Sequence, residues 1–258
     1  MRRSGLWGKN SVIIKSANKR HADIRPESKL YRIVPLDRLC RLFEDQRNGL
    51  VRPSRWEDPF ENLALKSRAI IGGEEGEFSF RDELYAQCWT QHTASDAMWR
   101  IYGQSRKEVR IRTNVQKLLS SVEGSPNYEA GQDRVFIGKV QYCSDSDLVK
   151  FSKTHFASGF DSDGENVASS LLIKRNAFSH EKEVRLVFWR GRKCSSDLLL
   201  YECDPHKLID QIMLHPMMSA EDAAYLKSQI IEKTKFKGEI LRSKLYSLPS
   251  GFKFVVGP

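Results

Sequence analysis

An α+β fold, with a mainly antiparallel sheet flanked by short helices, follows from three features of the sequence. Short apolar or alternating runs outnumber segments of helical period. The connections between those runs are short, which suits antiparallel neighbours. The clearest amphipathic helix, opening at Ser219, stands apart near the end of the chain. Of 258 residues, 40% are hydrophobic, enough for one large core. The organisation read here is a basic arm over residues 1–28 and a single α+β domain over 29–258.

Taken in order, residues 1–28 are polar and basic and read as a flexible or loosely docked arm. Residues 29–34 form a strand that Pro35 closes. Asp37 can cap a helix carrying Leu39, Leu42 and Phe43, with Gly49 as its end. Pro53 and Pro59 bracket Trp56, Asp58 and Glu61 in a loop that must be ordered to hold a tryptophan. Residues 67–80, rich in Gly and Glu, read as a surface loop. Residues 84–90 are a strand, and Ser95 caps a short helix presenting Met98, Trp99 and Tyr102. A strand over 109–113 puts Arg110 and Arg112 on one side, and 115–122 follow as a helix. Then come a strand over 134–142, a polar helix from Asp145 to about residue 156, a flexible acidic segment at 158–165 and a helix over 168–174. Past the central strand, residues 197–202 form another, and 204–216 read as turn, short helix and strand. The helix at Ser219 runs to a stop at Gly238, and 240–246 and 252–256 supply the last strands.

The stretch FSHEKEVRLVFW, residues 178–189, concentrates the chemistry. Its β-branched and aromatic run reads as a buried strand, and period-two alternation puts Glu181, Glu183 and Arg185 on one face. Two acids beside a base on a rigid strand can set a general base, grip a polar ligand, or be no more than solvated edge charges.

Lys and Arg exceed Asp and Glu by nine, a positive field that attracts nucleic acid or another polyanion. The excess is spread along the chain, and no helix-turn-helix, finger or aromatic RNA-binding motif accompanies it. No run of eighteen apolar residues occurs, so the expectation is a cytoplasmic protein with no membrane partner. Five widely spaced cysteines without a C-x-x-C pair argue against disulfides and structural zinc, and no metal is expected. The DSDGE segment lacks the twelve-residue calcium-loop pattern.

The order LYR, DPFE, CWT, MWRIYG, EKEVRLV and LIDQIMLHP resembles the bacterial domain-of-unknown-function family 2971 over residues 29–246. The sharpest pieces are residues 58–61, 98–103 and 181–185. The family pattern carries Asn before DPFE, where this chain has Glu57, and a glycine-led strand after the MWxxY helix, where this chain has Lys107 to Arg110. A second resemblance, to ADP-ribosyltransferases including DNA-modifying toxins, rests on a first-strand LYR, a later aromatic segment and a Glu-led strand. It implies a split antiparallel sheet holding NAD, used as substrate, and a toxin or antiphage effector that modifies nucleic acid or protein. Carried over residue by residue, Arg32 would hold the dinucleotide with Tyr31 and Arg185 beside it. Trp99 or Tyr102 would stack, Glu183 would be the catalytic acid and Glu181 an accessory acceptor. Positive charge developing on a ribose needs a fixed carboxylate close by.

Two other readings stay open. In one, Arg32, Asp58, Glu183 and Arg185 form a structural network in a noncatalytic sensor or binding module. In the other, Asp58, Glu61, Glu181 and Glu183 bind a metal in a nuclease, with Lys174 stabilising charge. Lys174 otherwise reads as a surface lysine that could approach an anionic substrate, and Trp56, Asp58 and Glu61 as a folding latch.

Overall fold

The structure, a computed structural model, describes residues 11–13, 24–56, 61, 65, 67–71, 73–157 and 164–257. Asp58 lies outside the described residues, so the roles expected of it are not placed. Of the expected arm, Ser11–Ile13 (β1) forms a strand and Ile24 is buried in the core.

Strand Lys29–Pro35 (β2) turns Leu30 and Val34 inward, and helix Leu36–Asp45 (α1) buries Leu39, Leu42 and Phe43. Asp37 is not the cap. It lies in the first turn of α1, where it pairs with Arg41 at 2.8 Å. The helix also stops before Gly49, at Gln46, whose φ of 51° is left-handed; Gly49 sits inside strand Arg47–Val51 (β3). Residues 67–80 are more than a loop, because Ala69–Ile71 (β4) and Glu74–Gly76 (β5) pair as a hairpin around Gly73, at φ 90°. Strand Leu84–Thr90 (β6) leads to helix Asp96–Tyr102 (α2), where Ser95 accepts from the Met98 N–H. Strand Glu108–Asn114 (β7) and helix Val115–Glu123 (α3) follow, the helix burying Val115, Leu118, Leu119 and Val122.

The strand expected over 134–142 breaks at Val140 into Arg134–Lys139 (β8) and Gln141–Cys143 (β9). Helix Asp145–Thr154 (α4) carries a Ser144 capping box. A helix over 168–174 is not formed. Glu165–Ser170 (α5) ends earlier, and Ile173–Arg175 (β10) is extended because it pairs in parallel with β9. Gly164, ahead of α5, has φ 73°, and a Cβ there would lie 1.9 Å from the Trp189 ring, so no side chain fits. After Glu183–Trp189 (β11) come Leu198–Glu202 (β12), the short helix Pro205–Leu208 (α6), Gln211–Leu214 (β13), Ala220–Thr234 (α7) and Glu239–Arg242 (β14). Lys235, left-handed at φ 53°, ends α7 ahead of Gly238. Residues 252–256 form no strand, and Phe254 is 85% exposed, so their apolar pattern is not buried by pairing.

The main sheet runs β1-β8-β11-β6-β2-β7-β13-β14, with β3 and β12 branching from β6. Among the described residues, only β1 with β8 and β13 with β14 are parallel pairs in it, so the sheet is mainly antiparallel. It forks at β6, where Thr90 pairs with Tyr31 of β2 while Ala86 pairs with Val51 of β3. One face packs on α1, α3 and α7 around Leu30, Trp89, Ile111, Val184 and Leu186. Part of the other packs on α5 around Ala86, Phe136, Leu171 and Val187. Fully burying a leucine such as Leu118 contributes about 2 kcal/mol, which is why helix spacing was a sound guide here. Among the described residues, no helix is long and apolar enough to cross a membrane.

Candidate functional site

Glu183, Thr90 and Tyr31 stand in one row across β11, β6 and β2, because Glu183 and Tyr31 both register with Thr90. Paired residues in a ladder share a face, so all three project to the side away from Val184 and Ile111. Arg185, Cys88 and Arg110 share that side. Arg32 registers with Ile111 and projects with Leu30 and Val34 to the opposite side. The strand period therefore does not bring Arg32 and Glu183 to one groove. Burial lowers the Arg32 pKa, with Cys88, Arg38 and Tyr201 within electrostatic range.

What does come together is an ion cluster. Lys174 Nζ lies 2.7 Å from Glu61, 2.5 Å from Glu181 and 3.4 Å from Glu183. Arg185, with none of its surface exposed, donates to both Glu183 oxygens at 2.8 and 3.0 Å, to Glu61 at 3.0 Å and to the Leu171 carbonyl at 2.6 Å. The Trp56 ring lies 4.3 Å from its guanidinium carbon and the Phe178 ring 4.6 Å from Lys174 Nζ. Lys174 is thus a buried strand residue at the centre of three carboxylates. The position where a metal would have to meet Glu61, Glu181 and Glu183 is filled by its ammonium.

Local structure makes this convergence possible. Residues Asn176–Glu181 form a 3-10 turn and Lys182 takes φ 44°, so the chain reaches β11 with Glu181 and Glu183 both against Lys174. Tyr102 of α2 donates to Glu181 at 3.0 Å, and the Thr90 hydroxyl donates to the Glu181 carbonyl at 2.5 Å. The Glu183 N–H donates to the Tyr142 oxygen at 2.8 Å. Trp99 of α2 is buried with its ring 5.0 Å from His215, edge to face, a packing contact away from the carboxylates.

Burial raises the Glu183 pKa, but Arg185 and then Lys174 outweigh it and hold the carboxyl down to about 2. Burial raises Glu61 and wins over Arg185 and Lys174. Lys174 is held above its ordinary value, burial being overcome by Glu183, Glu181 and Glu61. Burial, then Glu181, raises Tyr102. Three carboxylates face two cations, and Glu61 takes a proton more readily than Glu183.

Sequence reasoning missed Thr90, Tyr142 and Cys88, which reach the site only through pairing register, and Arg110. Arg110 was read as one of two arginines on a strand side; the structure buries it, 7% exposed, with its guanidinium 4.6 Å from the Tyr31 ring. A cleft of about 650 Å³ lined by Lys117, His206, Asp210, Lys235 and Lys237 lies outside this cluster.

Fold and cluster define an α+β protein with a charged site built on one face of a mainly antiparallel sheet. Residues 98–186, which contain α2, Lys174 and the EKEVRLV stretch, match the family model described as "Protein of unknown function (DUF2971)". Among solved structures, the chain is similar to Thermus sp. 2.9 DarT in complex with ADP-ribosylated ssDNA, at TM-score 0.41 and 8% identity over 86% of this chain and 96% of that one. DarT from the same source in complex with NAD+ gives 0.41 and 10% over 86% and 98%, and with carba-NAD+ 0.39 and 10% over 85% and 97%. At these TM-scores no residue role is transferred. No curated protein matches the chain.

Proposed function

We propose that the protein is an ADP-ribosyltransferase-like enzyme that uses NAD as substrate, with Glu183 and Glu181 as its working carboxylates. The observation that carries this reading is the row of Tyr31, Thr90 and Glu183 across three adjacent strands of a forked sheet, with Glu183 held ionised. In such a transfer the bond from ribose C1′ to the nicotinamide nitrogen breaks, nicotinamide leaves, and an acceptor oxygen or nitrogen bonds C1′ and gives up its proton. Positive charge gathers on the ribose as the bond stretches, and a preorganised carboxylate stabilises it. Arg185 and Lys174 keep Glu183 charged and oriented, and Tyr102 holds Glu181 at the outer side of the cluster. The LYR, aromatic and ExE order of the sequence supports the same reading, with Tyr31 rather than Arg32 on the reactive face. The net charge of +9 supports a nucleic-acid target.

One observation favours a second reading, a noncatalytic binding module: Arg185 is fully buried and all three cluster carboxylates are engaged by it or by Lys174. Glu183→Gln separates the two. Nicotinamide release from labelled NAD, with and without single-stranded DNA, should fall by about a hundredfold or more if Glu183 stabilises the transition state. Wild-type protein without any turnover, and a variant changed only in melting temperature, would leave the binding module.

A further inference from the structure

Arg110 is a buried cation that no carboxylate among the described residues neutralises. Its Nη1 donates to the Thr93 carbonyl, while Nε is buried with no partner among the described residues. No carboxylate forms an ion pair with it among those residues. The groups that bear on its charge are the Tyr31 ring, over which it stacks, and a second cation, Arg112, one step along the same face. Across the ladder Met213 of β13 and Ile33 of β2 flank it, both apolar. Burial accordingly lowers its pKa. Placing a guanidinium out of water without a partner is costly, and natural sites of this kind are rare unless something else supplies the anion.

The geometry says which atoms would meet that anion. Nη1 is occupied, so the edge without a partner among the described residues is the one formed by Nε and Nη2, two parallel N–H groups of the kind that fit a pair of oxygens on one phosphorus; Nε is out of solvent, so an arriving anion would meet Nη2 first. We infer that Arg110 is an anion-recognition residue whose Nε and Nη2 edge takes a phosphate of a ligand lying over Tyr31. A phosphate is favoured over a carboxylate because its larger negative charge better offsets a buried guanidinium, and the nearby Arg112 is already paired with Asp210. β7 and β11 are three strand spacings apart, about 14 Å, so one extended ligand could reach from Arg110 to Glu183. Only this last step, which makes the phosphate one of a dinucleotide's pair, rests on the transferase reading.

Inorganic pyrophosphate, titrated calorimetrically at low salt with acetate as control, tests the inference without NAD. Wild-type protein should bind pyrophosphate in preference to acetate. Arg110→Lys, which keeps the charge and loses the fork, should bind about tenfold more weakly, and Arg32→Gln should bind as wild type. Arg110→Met should lose binding and melt no lower than the wild-type protein. Failure of the wild type to bind, unchanged affinity in Arg110→Lys, or a melting point several degrees lower in Arg110→Met would each overturn the assignment. The two proposals fail separately. Pyrophosphate binding that depends on Arg110 in a protein that never cleaves NAD removes the transferase alone, whereas NAD turnover in a wild type that does not bind pyrophosphate removes the anion site alone.

Discussion

Arg185 and Arg110 are two guanidiniums on the same face of the same sheet, both out of solvent and both covered by an aromatic ring. Around Arg185 the chain has gathered Glu183, Glu61 and the Leu171 carbonyl, and Lys174 adds a second cation to the cluster. Around Arg110 it has supplied one carbonyl and, among the described residues, no acid. The contrast teaches how to tell a cation that holds a fold together from one that waits for a ligand. The first has its desolvation offset inside the chain, and its removal strands opposite charges; the second has no carboxylate beside it among the described residues, and its removal leaves the Thr93 carbonyl without its donor but strands no charge there.

The sharpest way to break this comparison is Arg185→Met. With Arg185 gone, Lys174 alone faces three carboxylates, and the variant should lose about 3–5 kcal/mol of stability, lowering Tm by about 10 °C. A urea titration and a melting curve check it, and a loss no larger than that of Arg110→Met would erase the distinction. Acid provides the next test. The folded-state pKa of Glu183 lies at about 2, below the ordinary 4.5, so its contribution is present above about pH 4.5 and disappears as pH falls through about 2. That contribution is of order 3 kcal/mol, and urea midpoints measured from pH 6 to pH 2 should fall steeply in the wild type and more gently in Glu183→Gln. Glu61, raised by burial, works in the opposite sense and takes its proton first on the way down. The smallest effect belongs to Tyr102→Phe, which removes one hydroxyl from Glu181 and should cost about 1 kcal/mol; equal urea midpoints for variant and wild type would show that this contact carries no weight.

Local chemistry was readable in the sequence wherever neighbours a few residues apart decide the outcome. Ser95 and Ser219 cap α2 and α7 as their spacing indicates, and the ion-bearing run at 181–185 enters a buried strand. What could not be read depends on pairing between distant segments. Lys174 looks like a helical surface residue until Glu61, 113 positions earlier, and Glu181 close around it. Arg32 and Tyr31 are adjacent in sequence, yet the register with Thr90 sends Tyr31 to the side that carries Glu183 and Arg32 to the opposite one. Alternation in 109–113 shows that Arg110 and Arg112 share a side; only packing shows that Asp210 serves one of them and leaves the other.

Lys182 gives this site an unexpected point of fragility. Its side chain is exposed, yet its backbone stands at φ 44° and ψ 53°, a conformation that asparagine and glycine enter easily and that valine or isoleucine resist. A saturation library scored for folding should therefore show this solvent-facing lysine tolerating loss of its charge while rejecting branched replacements. Its intolerance would be written in torsion angles, and a search for a missing partner of its ammonium group would look in the wrong place.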